Sequence, residues 1–400
     1  MTDIAGASSV DLMDLGPFIA GTENELFAQL RESDPVHWND EPAGPGFWSL
    51  TRYQDVLDAI NDPVTFINGD GTQILSRKVE GKTSTVHNTD PPRHTALRRL
   101  VTPHLRAVEI RQWQTMIDAA VEEILDSVEG SDEVELVNTV SALLPIRVLG
   151  QVLGVPREDC PKLLDWTNRV VSDDPEFMTR PDEKERARGE LFDFFRVLTE
   201  QRRVEPRNDI ISKLAHATLD GEPLGWDDLA AYYFVLVGAG NETTRNLITG
   251  TILAFEEFPD ELEKLRADHS LIRPAIEEML RYVTPIRAMR RTATADVEIQ
   301  GRSISKGDKV VLWFQSANRD PRVFSDPDVV RIDRALNDHV GFGWGIHACM
   351  GSHLARAEVT TFFEKILERG MWCHPSGPVE RLHTNQFNAF KRLPVRVEHR

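Results

Sequence analysis

The sequence predicts a mostly α protein with small β-sheets attached, and three observations carry that prediction. Helical periodicity fills most of residues 104–370. One helical stretch, 227–257, is longer than ordinary globular helices, which suggests that it runs through the centre of the fold. The β candidates are short and scattered, which suits accessory sheets better than a central parallel one. No internal repeat and no linker-like stretch divides the chain, so residues 1–400 read as one domain.

Lys and Arg number 46 against 64 Asp and Glu, a net charge of −18. That balance disfavours nucleic acid and anionic membrane as partners. The opening MTDIAGASSVDLMDLGPFIAG has acidic residues where an export signal has basic ones, and no unbroken apolar stretch. Cys160, Cys349 and Cys373 follow no zinc-finger or disulfide spacing. A cytoplasmic protein, neither exported nor membrane-anchored, is expected.

In chain order, GFWSL at 46–50 reads as a short strand. EIRQWQTMIDAAVEEILDSV at 109–128 and GELFDFFRVLTEQRR at 189–203 repeat apolar residues at the helical period. Between them SDDPEFMTRPDEKER at 172–186 reads as a surface connection. IRPAIEEMLRYV at 272–283 is helical again. In ADVEIQGRSISKGDKVVLWF at 295–314, Gly301 and Lys306-Gly307-Asp308 supply turns between alternating apolar positions. LPVRVEH at 393–399 is a last strand.

The long helix opens on Asp227 as its expected cap and closes before Pro259. Its apolar part, LAAYYFVLVGAG, is too short to cross a bilayer. The helix then turns polar at AGNETTRN. Gly238 and Gly240 weaken it and permit close approach, and Thr243 or Thr244 can turn a hydroxyl onto a carbonyl one turn earlier. A bulge that admits water or a small ligand is expected here. Glu242 and Thr243 would then place a carboxylate beside a hydroxyl in a partly dry groove, the parts of a proton relay. A solvent-facing polar stripe is the competing reading.

On the helix at 272–283, Glu278 and Arg281 stand three apart and share a face, so they can pair. In GFGWGIHACMGSHLAR at 341–356, Cys349 precedes a helix whose N–H groups and dipole would stabilise a thiolate. Gly341, Gly343, Gly345 and Gly351 let backbone approach a flat object closely, and Phe342 and Trp344 can shield the sulfur. One thiolate with no second ligand at metal spacing suits an iron already held by a macrocycle, not zinc. A cysteine nucleophile with His347 as its base is the competitor, although a glycine-rich turn holds an imidazole poorly against a thiol two residues away.

With these residues in place the chain resembles the cytochrome P450 superfamily over nearly its whole length, in its soluble bacterial form. Phe342, Gly343, Gly345, His347, Cys349 and Gly351 match that family's cysteine-ligand loop. Ala239, Gly240, Glu242 and Thr243 match its central-helix motif, and Glu278 and Arg281 match its Glu-x-x-Arg motif, which supports the haem side structurally. One departure is visible. Val329 stands where a further arginine often completes the Glu/Arg network, with Arg331 a candidate to replace it.

The resemblance implies haem b bound through the Cys349 thiolate, dioxygen as co-substrate, and insertion of one oxygen atom into a hydrophobic small molecule. Phe342, Gly343, Gly351, Ala239 and Gly240 would border the haem, and His94, Arg98, Arg291 and His347 would meet its propionates. Thr243 with Glu242 would deliver protons. Substrate contacts would come from residues 68–88 and 166–182, from Phe234, Val237 and Asn241, from Ile286 to Met289, and from Phe387. AGNETTRN is similar to subgroups that oxidise steroid side chains, terpenes or fatty chains. A monomer is expected, fed from NAD(P)H by a separate ferredoxin and ferredoxin reductase that dock near Arg98, Arg99, Arg106 and Arg111. A haem-thiolate sensor without turnover and a peroxide-driven oxidase are the alternatives within the resemblance.

Overall fold

The structure is a computed structural model that describes residues 10–75, 85–171 and 174–399. The mostly α expectation holds. The central helix spans Trp226–Glu257 and packs against helices Leu143–Leu153, Cys160–Val171, Glu183–Val204, Ile272–Val283 and Ser352–Glu368. Neighbours on all sides explain why it is apolar almost all round. Asp227 does not cap it: Gly225 holds that position, and Asp227 and Asp228 lie in the first turn, where the helix dipole favours acids. The helix ends at Phe258, because Pro259 opens the next one, Pro259–Ala267. Nor does it bulge, since α-helix continues unbroken through AGNETTRN.

Aromatic contacts fix the helix that covers its first half. Phe195 stacks on Tyr233 with ring centroids 4.5 Å apart, and the Thr199 and Tyr233 hydroxyls share a hydrogen bond of 2.8 Å. The Tyr232 hydroxyl donates to the Leu97 carbonyl on helix Arg93–Val101.

The strands form small sheets, as expected. The largest has five, in the order Val36–Asn39, Phe47–Leu50, Lys309–Trp313, Ala288–Ala293 and Phe66–Ile67. Its third strand is buried along its whole length, and Trp313 donates to the Ser49 hydroxyl at 2.8 Å while packing on Phe18 and Phe27. Arg287 just precedes the fourth strand. Its guanidinium donates to the carbonyls of Phe387 (2.6 Å) and Thr384 (3.0 Å) and to Glu23 (3.0 Å), tying the N-terminal helices to the C-terminal turn. Ile286 and Phe387 consequently meet in an isolated β-bridge.

Helix Ile272–Val283 carries Glu278 and Arg281, both 0% exposed. Arg281 donates to Glu278 through two bonds of 2.8 Å and to the carbonyls of Asn318 (2.9 Å), Pro327 (2.7 Å) and Val329 (3.2 Å). The arginine that completes this network is Arg334, at 2.9 Å from Glu278. Arg331 does not do so: its side chain turns to Asp326, and only its backbone N–H reaches Glu278, at 2.9 Å. Val329 contributes through its carbonyl, so a side chain of any kind there leaves the network intact. No helix among the described residues is long and apolar enough to cross a membrane.

Candidate active site

The cysteine loop runs between the Glu278 network and helix Ser352–Glu368. Gly343 and Gly345 both have φ of 64°, a left-handed conformation that penalises any side chain. A Cβ at Gly341 would stand 2.8 Å from the Leu280 carbonyl, so the loop lies against helix Ile272–Val283. The Cys349 N–H donates to the Phe342 carbonyl at 2.9 Å. Glu277 holds Arg356 at 2.6 Å and His339 at 3.1 Å. Burial pushes its carboxyl up, but those bonds outweigh burial and leave it at about 2. Arg356 in turn lies over the Phe342 ring at 4.5 Å. Trp344, expected to shield the sulfur, is 50% exposed instead.

Cys349 itself is accessible although protein atoms crowd around it. Burial pushes its thiol up, against the Gly351 N–H and the charges of Arg98 and Arg356, which favour the thiolate. A cation bonded to the sulfur reverses that balance. Among the described residues no group of three His, Cys, Asp or Glu could hold a metal ion. A metal at Cys349 therefore has to bring its other ligands with it.

The central helix opens at the same motif the sequence singled out. Ala239 is exposed and Thr243 half-buried within an otherwise buried segment, and the Thr243 hydroxyl donates to the Ala239 carbonyl at 3.0 Å. Gly240 serves helix packing: a Cβ there would stand 3.2 Å from Leu149. Glu242 does not lie free beside Thr243. It is 2% exposed and pairs with Arg245, which reaches Asn168 at 2.9 Å, while Asn246 donates to it at 3.0 Å.

Three expected substrate contacts lie on the wrong side. At about 100° per residue, Phe234, Val237 and Asn241 share one face of the helix, and Ala239 and Thr243 the opposite one. Val237 and Asn241 are 1% and 0% exposed. Phe234 is taken up by helix Glu183–Val204, with Phe192 at 6.4 Å and the Arg188 guanidinium at 5.5 Å. Ile286, Met289 and Phe387 are half-buried and gathered together, Met289 accepting a contact from Gln386 at 3.9 Å. Residues 76–84 and 172–173 of the two expected substrate segments lie outside the described residues.

A cluster of donors stands beside the cysteine loop. The His94 and His347 rings are 4.1 Å apart, and all four of their nitrogens are buried without a partner. Burial and then His94, Arg291 and Arg98 push His347 down to about 3, and burial and Arg98 lower His94. Arg291 is 5% exposed and burial pulls it down to about 10. Arg98 donates to the Ala348 carbonyl. The acid that acts on this cluster, Asp90, already accepts from the Asn68 and Gly69 N–H groups at 2.8 and 2.9 Å. Cations and imidazoles crowded together, with Asp90 already committed and no other acid acting on them among the described residues, fit a ligand bearing carboxylates. Haem, with two propionates and an iron that takes one thiolate, fits both features.

Two residues of the site had escaped the sequence reading. Glu358, on the helix after Cys349, is 2% exposed, and burial pushes its carboxyl up to about 8 against a hydrogen bond with Thr244 of the central helix. Its only signal was a carboxylate on the second turn of the cysteine helix. His87 lies in the short 3-10 turn Val86–Asn88 and acts on His347. It carried no signal beyond being a histidine near a loop of interest.

Comparison with known proteins agrees with this geometry. The cytochrome P450 family profile matches residues 177–396. Linalool 8-monooxygenase of Pseudomonas putida is 36% identical over 96% of this chain and 98% of its own length. Steroid C26-monooxygenase of Mycolicibacterium smegmatis is 33% identical over 97% and 93% respectively. The solved structure of a Mycobacterium marinum cytochrome P450 in complex with pseudoionone superposes with a TM-score of 0.91 at 30% identity, covering 98% of this chain and 100% of that one. Sequence, fold and site coincide, and the chain belongs to the cytochrome P450 family of haem-iron oxidoreductases.

Proposed function

We propose that the protein is a haem-thiolate monooxygenase that hydroxylates a hydrophobic small molecule of terpenoid, steroid or fatty-chain type. The observation that carries this is Cys349, accessible though crowded by protein, at the head of helix Ser352–Glu368 with a cluster of unpaired donors beside its loop. Haem b, when bound, supplies the iron that activates dioxygen. Cys349 would hold it as the thiolate, Ala239 would border it, and His94, Arg98, Arg291 and His347 would receive its propionates.

Thr243 offers the hydroxyl nearest the opened part of the helix, and its partner today is a backbone carbonyl that it can leave at low cost. Glu242 joins proton delivery only when Arg245 releases it. Glu358, pushed up to about 8, keeps a proton at neutral pH and bonds Thr244 on the Val237 and Asn241 face of the central helix, so it stands apart from the Thr243 relay. Ile286, Met289 and Phe387 supply an apolar wall. The relatives named for linalool and for steroids support that substrate class.

Electrons would come from NAD(P)H through a ferredoxin reductase and ferredoxin. Arg99, Arg106 and Arg111 are exposed and suited to an acidic partner, whereas Arg98 turns inward to Ala348. The purified protein is expected to give the thiolate signature in its reduced carbon monoxide adduct, and an imidazole-type spectrum overturns the assignment. Thr243→Ala is expected to retain that signature while product formed per NADH consumed drops by roughly tenfold. Unchanged coupling removes Thr243 from proton delivery.

A further inference from the structure

We propose that His87 is a fifth partner of the haem carboxylates, donating one imidazole N–H to a propionate oxygen. The proposal rests on the haem reading above and adds a residue to it. The turn Val86–Asn88 packs against both the central helix and helix Arg93–Val101, and His87 lies close enough to Arg291 and His347 for their charges to act on one another. Its backbone is held in place: the His87 carbonyl accepts from the Asn68 side chain at 2.8 Å, Asn88 accepts from the Thr72 hydroxyl at 2.8 Å, and the Thr89 hydroxyl donates to the Thr85 carbonyl at 2.9 Å. The turn that carries the imidazole is therefore fixed.

Nδ1 of His87 is buried and has no partner, yet the residue as a whole stays half-buried within surrounding protein, as a side chain lining an internal space does. Burial, with Arg291, presses the ring down to about 4, so it is neutral at pH 7, with one nitrogen a donor and the other an acceptor. The groups that feel it or act on it are Arg291 and His347, and His347 lies on His94. Guanidinium groups cannot accept a hydrogen bond, and Asp90 is committed to backbone N–H groups. An anionic acceptor from outside the chain completes the set. A propionate provides one at the cluster that His94, Arg98, Arg291 and His347 already form.

The test is the rate at which haem leaves the holoenzyme for an excess of apomyoglobin, measured for wild type, H87Q and H87L. It is repeated after reconstitution with haem dimethyl ester, whose carboxylates are blocked. H87L is expected to lose native haem about tenfold faster, since hydrogen bonds to charged groups are among the stronger ones. H87Q, which keeps a donor, is expected to stay within about threefold of wild type, and the gap between H87L and wild type is expected to close with the diester. Equal rates of native haem loss overturn the proposal. So does a gap that persists with the diester, which marks a role in packing alone. Should H87L fail to fold, H87A takes its place. A wild-type protein that never yields a thiolate-type spectrum sinks the haem reading instead, and that outcome is read before any variant is compared.

Discussion

Two charged clusters flank the cysteine loop, and they are built on opposite principles. Around Glu278 every charge meets its counterpart: Arg281, Arg334, Asn337 and the Arg331 N–H all converge on one carboxylate within 3.1 Å. Around His347 and His94 the chain gathers donors and cations with no free acid among the described residues, and leaves four ring nitrogens unpaired. The first cluster is finished by the polypeptide. The second would be finished by the carboxylates of the proposed haem. A buried polar group left unpaired costs stability, and a bound carboxylate would repay that cost at this cluster.

That contrast can be broken at several points. The largest effect is expected from Arg281→Ala, which strands Glu278 as a buried charge and should cost about 3–5 kcal/mol in denaturant unfolding. A loss below about 1 kcal/mol would mean that the first cluster is not closed as described. Next comes Glu358→Gln. The Glu358 carboxyl titrates at about 8 in the folded chain against an ordinary 4.5, so the folded state keeps a proton that the unfolded chain has released in that window. Stability attributable to Glu358 is fully present below pH 4.5 and is lost as pH rises to 8, on the order of 5 kcal/mol in total. Glu358→Gln should flatten that slope, and an unchanged slope in urea melts across the window removes Glu358 as its source.

The smallest effect has the opposite sign. His94→Leu removes unpaired nitrogens, so the apoprotein should gain about 1 kcal/mol even as the holoprotein releases haem faster. An apoprotein destabilised by this change would show that His94 is paired within the chain, and the contrast between the clusters would fall.

The sequence made the chemistry legible where identity and spacing are themselves the constraint. Cys349 with its glycines could be read because positive φ at Gly343 and Gly345 admits little else. Glu278 and Arg281 could be read from their spacing. Glu242 and Arg245 have the same spacing in AGNETTRN, but spacing alone does not tell a carboxylate free for a relay from one already paired. The rotation of the central helix was not legible, since a helix packed on every side has no polar face to mark which way it turns. Hence Val237 and Asn241 were assigned to the substrate, although they lie on the face opposite Ala239 and Thr243. Arg334 rather than Arg331 closing the network is a matter of where a loop carries its side chains, which spacing along an irregular segment does not encode. Glu358 looks like any charged residue of a helix until the packing partner, Thr244, is in place.

The unfinished cluster carries a consequence for how much of this protein a cell can keep. A chain that holds its donors apart in expectation of a ligand spends its cofactor-free life nearer the unfolding threshold, where proteases find it. Abundance should then follow the supply of iron and porphyrin as closely as it follows transcription, and a host short of haem would make this chain only to degrade it.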